Sequence, residues 1–231
     1  MKINKILGLI VASALVLLPL SVKASDLNGF ALGLTMSSND ISTDGKEISP
    51  ENLTRTTKSF DDSVTIASIM FEGTKILNDK LAVTLGLDYI PASADLDTRS
   101  QSDTDLLGTG VTSTSGTNKV EASVQDIRTL YLQPGIAIND TTMVYGTIGV
   151  TWADVEAKQT LFTSTSRTTT QTTDGMRVGV GVKKVMPNGL FIKLDYSQTD
   201  MDTVSYRTTD DTRVDADLDV TTMAFSIGRQ F

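Results

Sequence analysis

From Leu27 onward apolar side chains recur at every second position in short runs, with small or polar residues between them. In the first run Phe30, Leu32, Leu34 and Met36 alternate with Gly29, Ala31, Gly33 and Thr35. The most regular run sets Leu81, Val83, Leu85, Leu87 and Tyr89 against Ala82, Thr84, Gly86 and Asp88. Period two marks a β-strand with one apolar face. Further runs lie near residues 63–75, 130–138, 144–152, 178–183, 190–196 and 216–231. That predicts eight strands, each with ~10 residues of alternation, the length a tilted strand needs to cross a bilayer.

The connections alternate as strictly as the side chains. Short turns fall at 76–79, 139–141 and 187–189, and long polar stretches at 37–62, 92–121, 160–174 and 200–215. In an antiparallel sheet this puts every short turn at one end and every long loop at the other. A soluble sandwich has no reason to sort its loops this way. An outer-membrane barrel has short periplasmic turns and long extracellular loops. The expectation is an all-β, eight-stranded, antiparallel up-and-down transmembrane β-barrel, closed by pairing the last strand with the first.

By pattern alone either face could line the inside, because a soluble calyx points its large apolar residues inward. Aromatic placement favours the opposite sense. Tyr89, Trp152 and Tyr196 all lie on the aliphatic face, each at the loop-side end of a strand. Three strands thus place an amphipathic ring where an interfacial girdle belongs.

Composition narrows the chemistry. Among 231 residues there is no Cys and no His. Disulfides, thiol nucleophiles, the usual general base and the commonest metal ligand are therefore excluded. No nucleophile elbow or phosphate loop appears, so neither catalysis nor a cofactor is expected. Residues 1–24 read as a cleavable signal peptide. Lys2 and Lys5 form its basic start, residues 6–20 its apolar stretch, and Val22-Lys23-Ala24 its cleavage site, making 25–231 the barrel domain. Loss of Lys2, Lys5 and Lys23 takes the formal charge from −8 to −11, which disfavours nucleic acid as a partner.

The C-terminal strand ends at Phe231, with Phe225 and Ile227 on the same face and Gly228 on the other. With YLQPGIAIN at 131–139, GMRVGVGVKKV at 175–185, NGLFIKLDYS at 188–197 and FSIGRQF at 225–231, the chain resembles the small eight-stranded outer-membrane barrels of the OmpX, Ail and Opa type and the OmpA transmembrane domain. The resemblance covers essentially all of 25–231. It implies insertion by the barrel-assembly machinery, with Phe225, Ile227, Gly228 and Phe231 as the assembly signal. Arg229 departs from the family pattern, which has a large apolar residue there. No peptidoglycan-binding domain is expected after the last strand.

Charged residues on the small-residue face are expected inside the barrel. Pairing the strands across Pro187-Asn188 sets Lys183 opposite Lys193, with Asp195 diagonal to Lys183. A carboxylate is then needed, and Glu72, too costly on a lipid face, supplies it if it points inward with Ile69 and Phe71 outward. Asp88 lies nearer the mouth, facing Arg177. Glu72 and Asp195 with Lys183 and Lys193 would form a salt-bridge network that occludes the lumen, with Asp88 a further lumen charge. The last loop and its flanks carry Asp200, Asp202, Asp210, Asp211, Asp215, Asp217 and Asp219 without the EF-hand pattern, so no metal site is assigned. Arg207 and Arg213 are placed to meet lipopolysaccharide phosphates. The sequence thus points to a monomeric, integral outer-membrane protein, its termini periplasmic and its loops extracellular. An adhesin-like role toward host, phage or cell surfaces is expected, the alternative being a small pore or a conduit for hydrophobic molecules.

Overall fold

In a computed structural model, residues 27–48, 55–77, 80–91, 93–103, 116–160, 166–207 and 213–231 are described. The expected signal peptide and cleavage site, and Asp210 and Asp211, lie outside them. Nine strands are formed: β1 (Gly29–Ile48), β2 (Arg55–Ile76), β3 (Leu81–Ile90), β4 (Ala94–Asp103), β5 (Gly116–Asn139), β6 (Thr142–Thr160), β7 (Ser166–Val185), β8 (Leu190–Arg207) and β9 (Arg213–Gln230). All neighbours pair antiparallel. β3 and β4 pair with successive stretches of β5, so they form one interrupted stave, and the sheet closes as a barrel of eight staves.

The interruption has a local cause. Pro91 follows β3 directly and has no N–H to give the ladder. On the facing strand the β5–β6 register slips between Gln125 and Arg128, where Asp126 takes a positive φ of 54°. One extra residue on β5 is a bulge. Both defects fall at the same level, just above the Ile90–Ile127 pair.

Closure joins β1 to β9 from Ala31–Gln230 to Ile48–Arg213, leaving no edge in the lipid. At the turn end the Phe231 amide donates to the Phe30 carbonyl at 2.6 Å, and the Phe30 amide to the Phe231 carbonyl at 3.2 Å. Gly29, at φ 126°, enters this seam, where a Cβ would run into the Phe231 carbonyl. The short turns are held by asparagine side chains. Asn139 Oδ1 accepts from the Thr141 amide at 3.0 Å, and Asn188 Oδ1 from the Leu190 amide at 3.1 Å.

Apart from the broken β3–β4 stave, the strands run 18 to 24 residues, about twice the expected length. Much of the polar sequence read as loop is paired strand. The cause is visible across the ladders, where Ser and Thr hydroxyls donate to Asp carboxylates. Ser42 bonds Asp61 at 2.5 Å, Ser59 bonds Asp44 at 2.6 Å, Thr172 bonds Asp154 at 2.6 Å and Ser205 bonds Asp215 at 2.6 Å. Each pair sits directly opposite in the register. Such cross-strand pairs contribute about 0.2–1 kcal/mol each.

Large aliphatic residues face outward along the membrane-length part of every stave, among them Leu85, Leu132, Ile148, Val178, Leu194 and Ile227. Inside, at the turn end, Leu27, Ala31, Met70, Ala82, Met143, Val185 and Phe191 pack into an apolar floor.

Candidate functional site

Above that floor the lumen is closed by a layer of charge. Glu72 on β2 is fully buried and lies between two lysines. Its Oε2 meets Lys183 Nζ at 3.1 Å, and its Oε1 accepts from Lys193 Nζ and, at 2.9 Å, from the Tyr131 hydroxyl. Lys183 and Lys193 are themselves register partners on β7 and β8. Two cations facing each other in a water-poor interior repel, and the single carboxylate between them makes the arrangement tenable.

Aromatic rings and an amide complete the layer. Lys183 Nζ lies 4.6 Å from the Phe191 ring centre, and Lys193 Nζ 5.1 Å from that of Tyr145. The Lys193 ammonium also reaches Gln133 Oε1 at 3.4 Å. Asp195 enters differently from the sequence expectation. It accepts from the Tyr145 hydroxyl at 2.7 Å, and among the described residues neither lysine forms an ion pair with it. Both ammonium groups converge on Glu72, so Asp195 joins through the phenol.

Tyr131 and Tyr145 were not singled out by sequence, although they are central here. Each sits directly opposite a glycine on the neighbouring strand, Tyr131 beside Gly86 and Tyr145 beside Gly181. A Cβ at either glycine would collide with the tyrosine ring. An inward aromatic paired with a glycine is the signal that finds them, but it needs the strand register.

Toward the loop side the lumen opens into a cup. Asp88 and Arg177 both line its base. Arg177 Nε donates to Ser197 Oγ at 2.9 Å, while Asp88 Oδ1 is shut from solvent with no hydrogen-bond partner among the described residues.

On the outer wall Phe71 is 51% exposed and Ile69 is half-buried on the same face, opposite Glu72. Tyr89 and Tyr196 face outward, 37% and 45% exposed, and Trp152 is half-buried. Arg128 pairs with both Tyr89 and Trp152, which places those two on one row across β3, β5 and β6. The Tyr89 hydroxyl donates to Asp126 Oδ1 at 3.0 Å, tying the girdle position to the bulge. Phe225 and Ile227 are exposed outward, and Gly228 faces inward against Gly33 and Phe191. Arg229 is half-buried on the outward face between Leu32 and Leu190. Arg213 Nε donates to Asp215 at 2.7 Å, so the basic group of the last hairpin is held by its acidic neighbour. No group of three or more acidic residues is placed to hold a metal among the described residues.

This architecture matches a known family along nearly the whole chain: residues 10–231 fit the outer membrane protein beta-barrel domain. The protein belongs to that family. Its barrel is also similar to solved structures at low sequence identity. The outer membrane protease OmpT from Escherichia coli superposes with a TM-score of 0.52 at 8% identity, covering 88% of this chain and 97% of that one. The outer membrane protein OprG from Pseudomonas aeruginosa gives 0.42 at 16% identity, covering 89% and 100%. Ail, the attachment invasion locus protein of Yersinia pestis, gives 0.41 at 13% identity, covering 86% and 99%. At these identities the likeness is one of fold. No curated protein matches the sequence.

Proposed function

We propose that this barrel acts through its loop side, as a monomeric, adhesin-like surface protein. Its hairpins stand outside the cell, its termini lie in the periplasm and its aliphatic belt sits in outer-membrane lipid. One observation carries the reading: the full staves run 18 to 24 residues, where crossing a bilayer takes about 9–11. The surplus is paired strand, not coil, and its hydroxyl–carboxylate ladders give it a defined shape to present. Extended hairpins with polar faces suit contact with another surface, whether of a host cell, a phage or a neighbouring bacterium, and strand edges near their tips can be extended by a partner strand. The filled lumen supports a role outside the barrel over one as a pore.

The test compares cells carrying the full chain with cells in which the β1–β2 and β8–β9 extensions are cut back to two-residue turns. Adhesion or phage adsorption should fall to the level of a deletion strain, while the barrel keeps its heat-modifiable gel mobility. Unchanged attachment together with a large single-channel conductance in planar bilayers would replace this reading with a pore.

A further inference from the structure

Along the staves the sense of the alternation is constant through the membrane-length part: aliphatic outside, small and polar inside. Near the loop side it inverts. Ile41, Val64, Ile66, Ile90, Val155 and Val220 point inward and line one cup. Their strand neighbours Asp40, Thr65 and Asp219 are exposed on the outer wall, and Asp154 is half-buried there. Apolar inside and polar outside is the pattern of a soluble calyx, and it is what water rather than lipid against the outer wall demands. The cup therefore belongs to the part of the barrel above the lipid.

Its wall and base differ in chemistry. The wall sets isoleucine and valine side chains among the hydroxyls of Thr173, Thr199 and Thr222 and the Asn39 amide. The base holds the Asp88 carboxylate, whose Oδ1 has no partner among the described residues, and the Arg177 guanidinium. The cavity measures about 120 Å³. A closed apolar cavity of about 150 Å³ accommodates benzene; this cup is smaller but partly open, so a single ring need not be fully enclosed. Below it, the Glu72 layer and the apolar floor seal the lumen.

We propose that this cup binds a small neutral amphiphile, a single-ring or short branched hydrocarbon carrying one hydroxyl group. The hydrocarbon packs against the isoleucines and valines, and the hydroxyl donates to the Asp88 carboxylate where it lines the base. Because a carboxylate and a guanidinium share the base, neither a cation nor an anion has the advantage there, and a neutral donor does. The site is a dead end, since Glu72, Lys183 and Lys193 close the path beneath it. Binding at this site does not depend on the adhesin-like reading of the hairpins.

The test uses phenol as probe and benzene as its control. Both are titrated into the full barrel, with methyl-labelled isoleucine, in lipid nanodiscs. Phenol should give saturable shifts at Ile41, Ile66, Ile90 and Ile127, and none at the lipid-facing Ile136 and Ile148. Asp88→Asn should weaken phenol about tenfold and leave benzene unchanged, as removal of a charged acceptor implies. Ile66→Trp, which fills the cup, should abolish the saturable shifts for both probes. Each variant is checked for folding by its gel shift on boiling. Non-saturable shifts of equal size on the inner and outer isoleucines would reduce the effect to partitioning into lipid and overturn the proposal. Saturable binding that persists in folded Ile66→Trp, or an equal loss of phenol and benzene in Asp88→Asn, would overturn it too.

Discussion

Glu72 is the carboxylate that, among the described residues, pairs directly with both buried ammonium groups. Glu72→Gln leaves Lys183 and Lys193 opposed in a sealed interior. Breaking a buried pair in this way costs about 3–5 kcal/mol. Urea unfolding of the refolded barrel should show that loss, and replacing Glu72, Lys183 and Lys193 together with methionine should recover much of it. Equal stability of Glu72→Gln and the native chain would mean that water reaches the layer. The charged members of the layer were legible in the sequence, because a charge on a membrane-length strand has only one face to occupy. Alternation with Leu130 and Leu132 also turns Tyr131 inward. The contacts of Tyr131 with Glu72 and of Tyr145 with Asp195 were not legible, because they join strands far apart in the chain.

At the scale of strands and hairpins, the polar stretches behave in a way their composition conceals. Ser, Thr, Asp and Gly are turn formers when considered singly, which is why residues 37–62 and 200–215 read as loops. Placed in register above a closed barrel, the same residues form hydroxyl-to-carboxylate rungs. Asp215 shows the consequence for pH. The Ser205 hydroxyl, and then Arg213, hold its carboxyl below the usual carboxylate range. The folded hairpin therefore takes up the proton less readily than the unfolded one. Its contribution is present at neutral pH and is lost as pH falls through that lowered value. Hydrogen exchange on the β8–β9 extension should accelerate on acidification beyond the intrinsic pH effect, while amides in the membrane-length staves stay protected. Ser205→Ala should reduce the acid sensitivity. A pH response unchanged by that substitution would assign the effect elsewhere.

The whole molecule is organised by closure. The eight-stave plan was legible because period two and the sorting of turns survive without any tertiary knowledge. The continuation of the staves beyond the membrane was legible where β-branched threonines recur, at 163–173 and 203–222, and not along 37–62, where ladders nucleated below decide it. Closure rests on the seam where Phe231 and Phe30 exchange backbone hydrogen bonds, and the family resemblance assigns the same strand to assembly. Deleting Phe231 should leave periplasmic, protease-sensitive protein and little heat-modifiable barrel in the outer membrane. An undiminished outer-membrane yield would separate the seam from the assembly signal.

The break at Pro91 and the bulge at Asp126 lie side by side on neighbouring staves, and this has a mechanical consequence. Along the membrane-length staves the wall is a closed hydrogen-bonded shell. Along this one line two adjacent strands lose rungs together, so bending compliance concentrates there. The β4–β5 hairpin is then a jointed arm set beside the mouth of the cup, its swing limited by the tether from Tyr89 to Asp126. It stands on a break and a bulge side by side, while the staves beneath it stay paired.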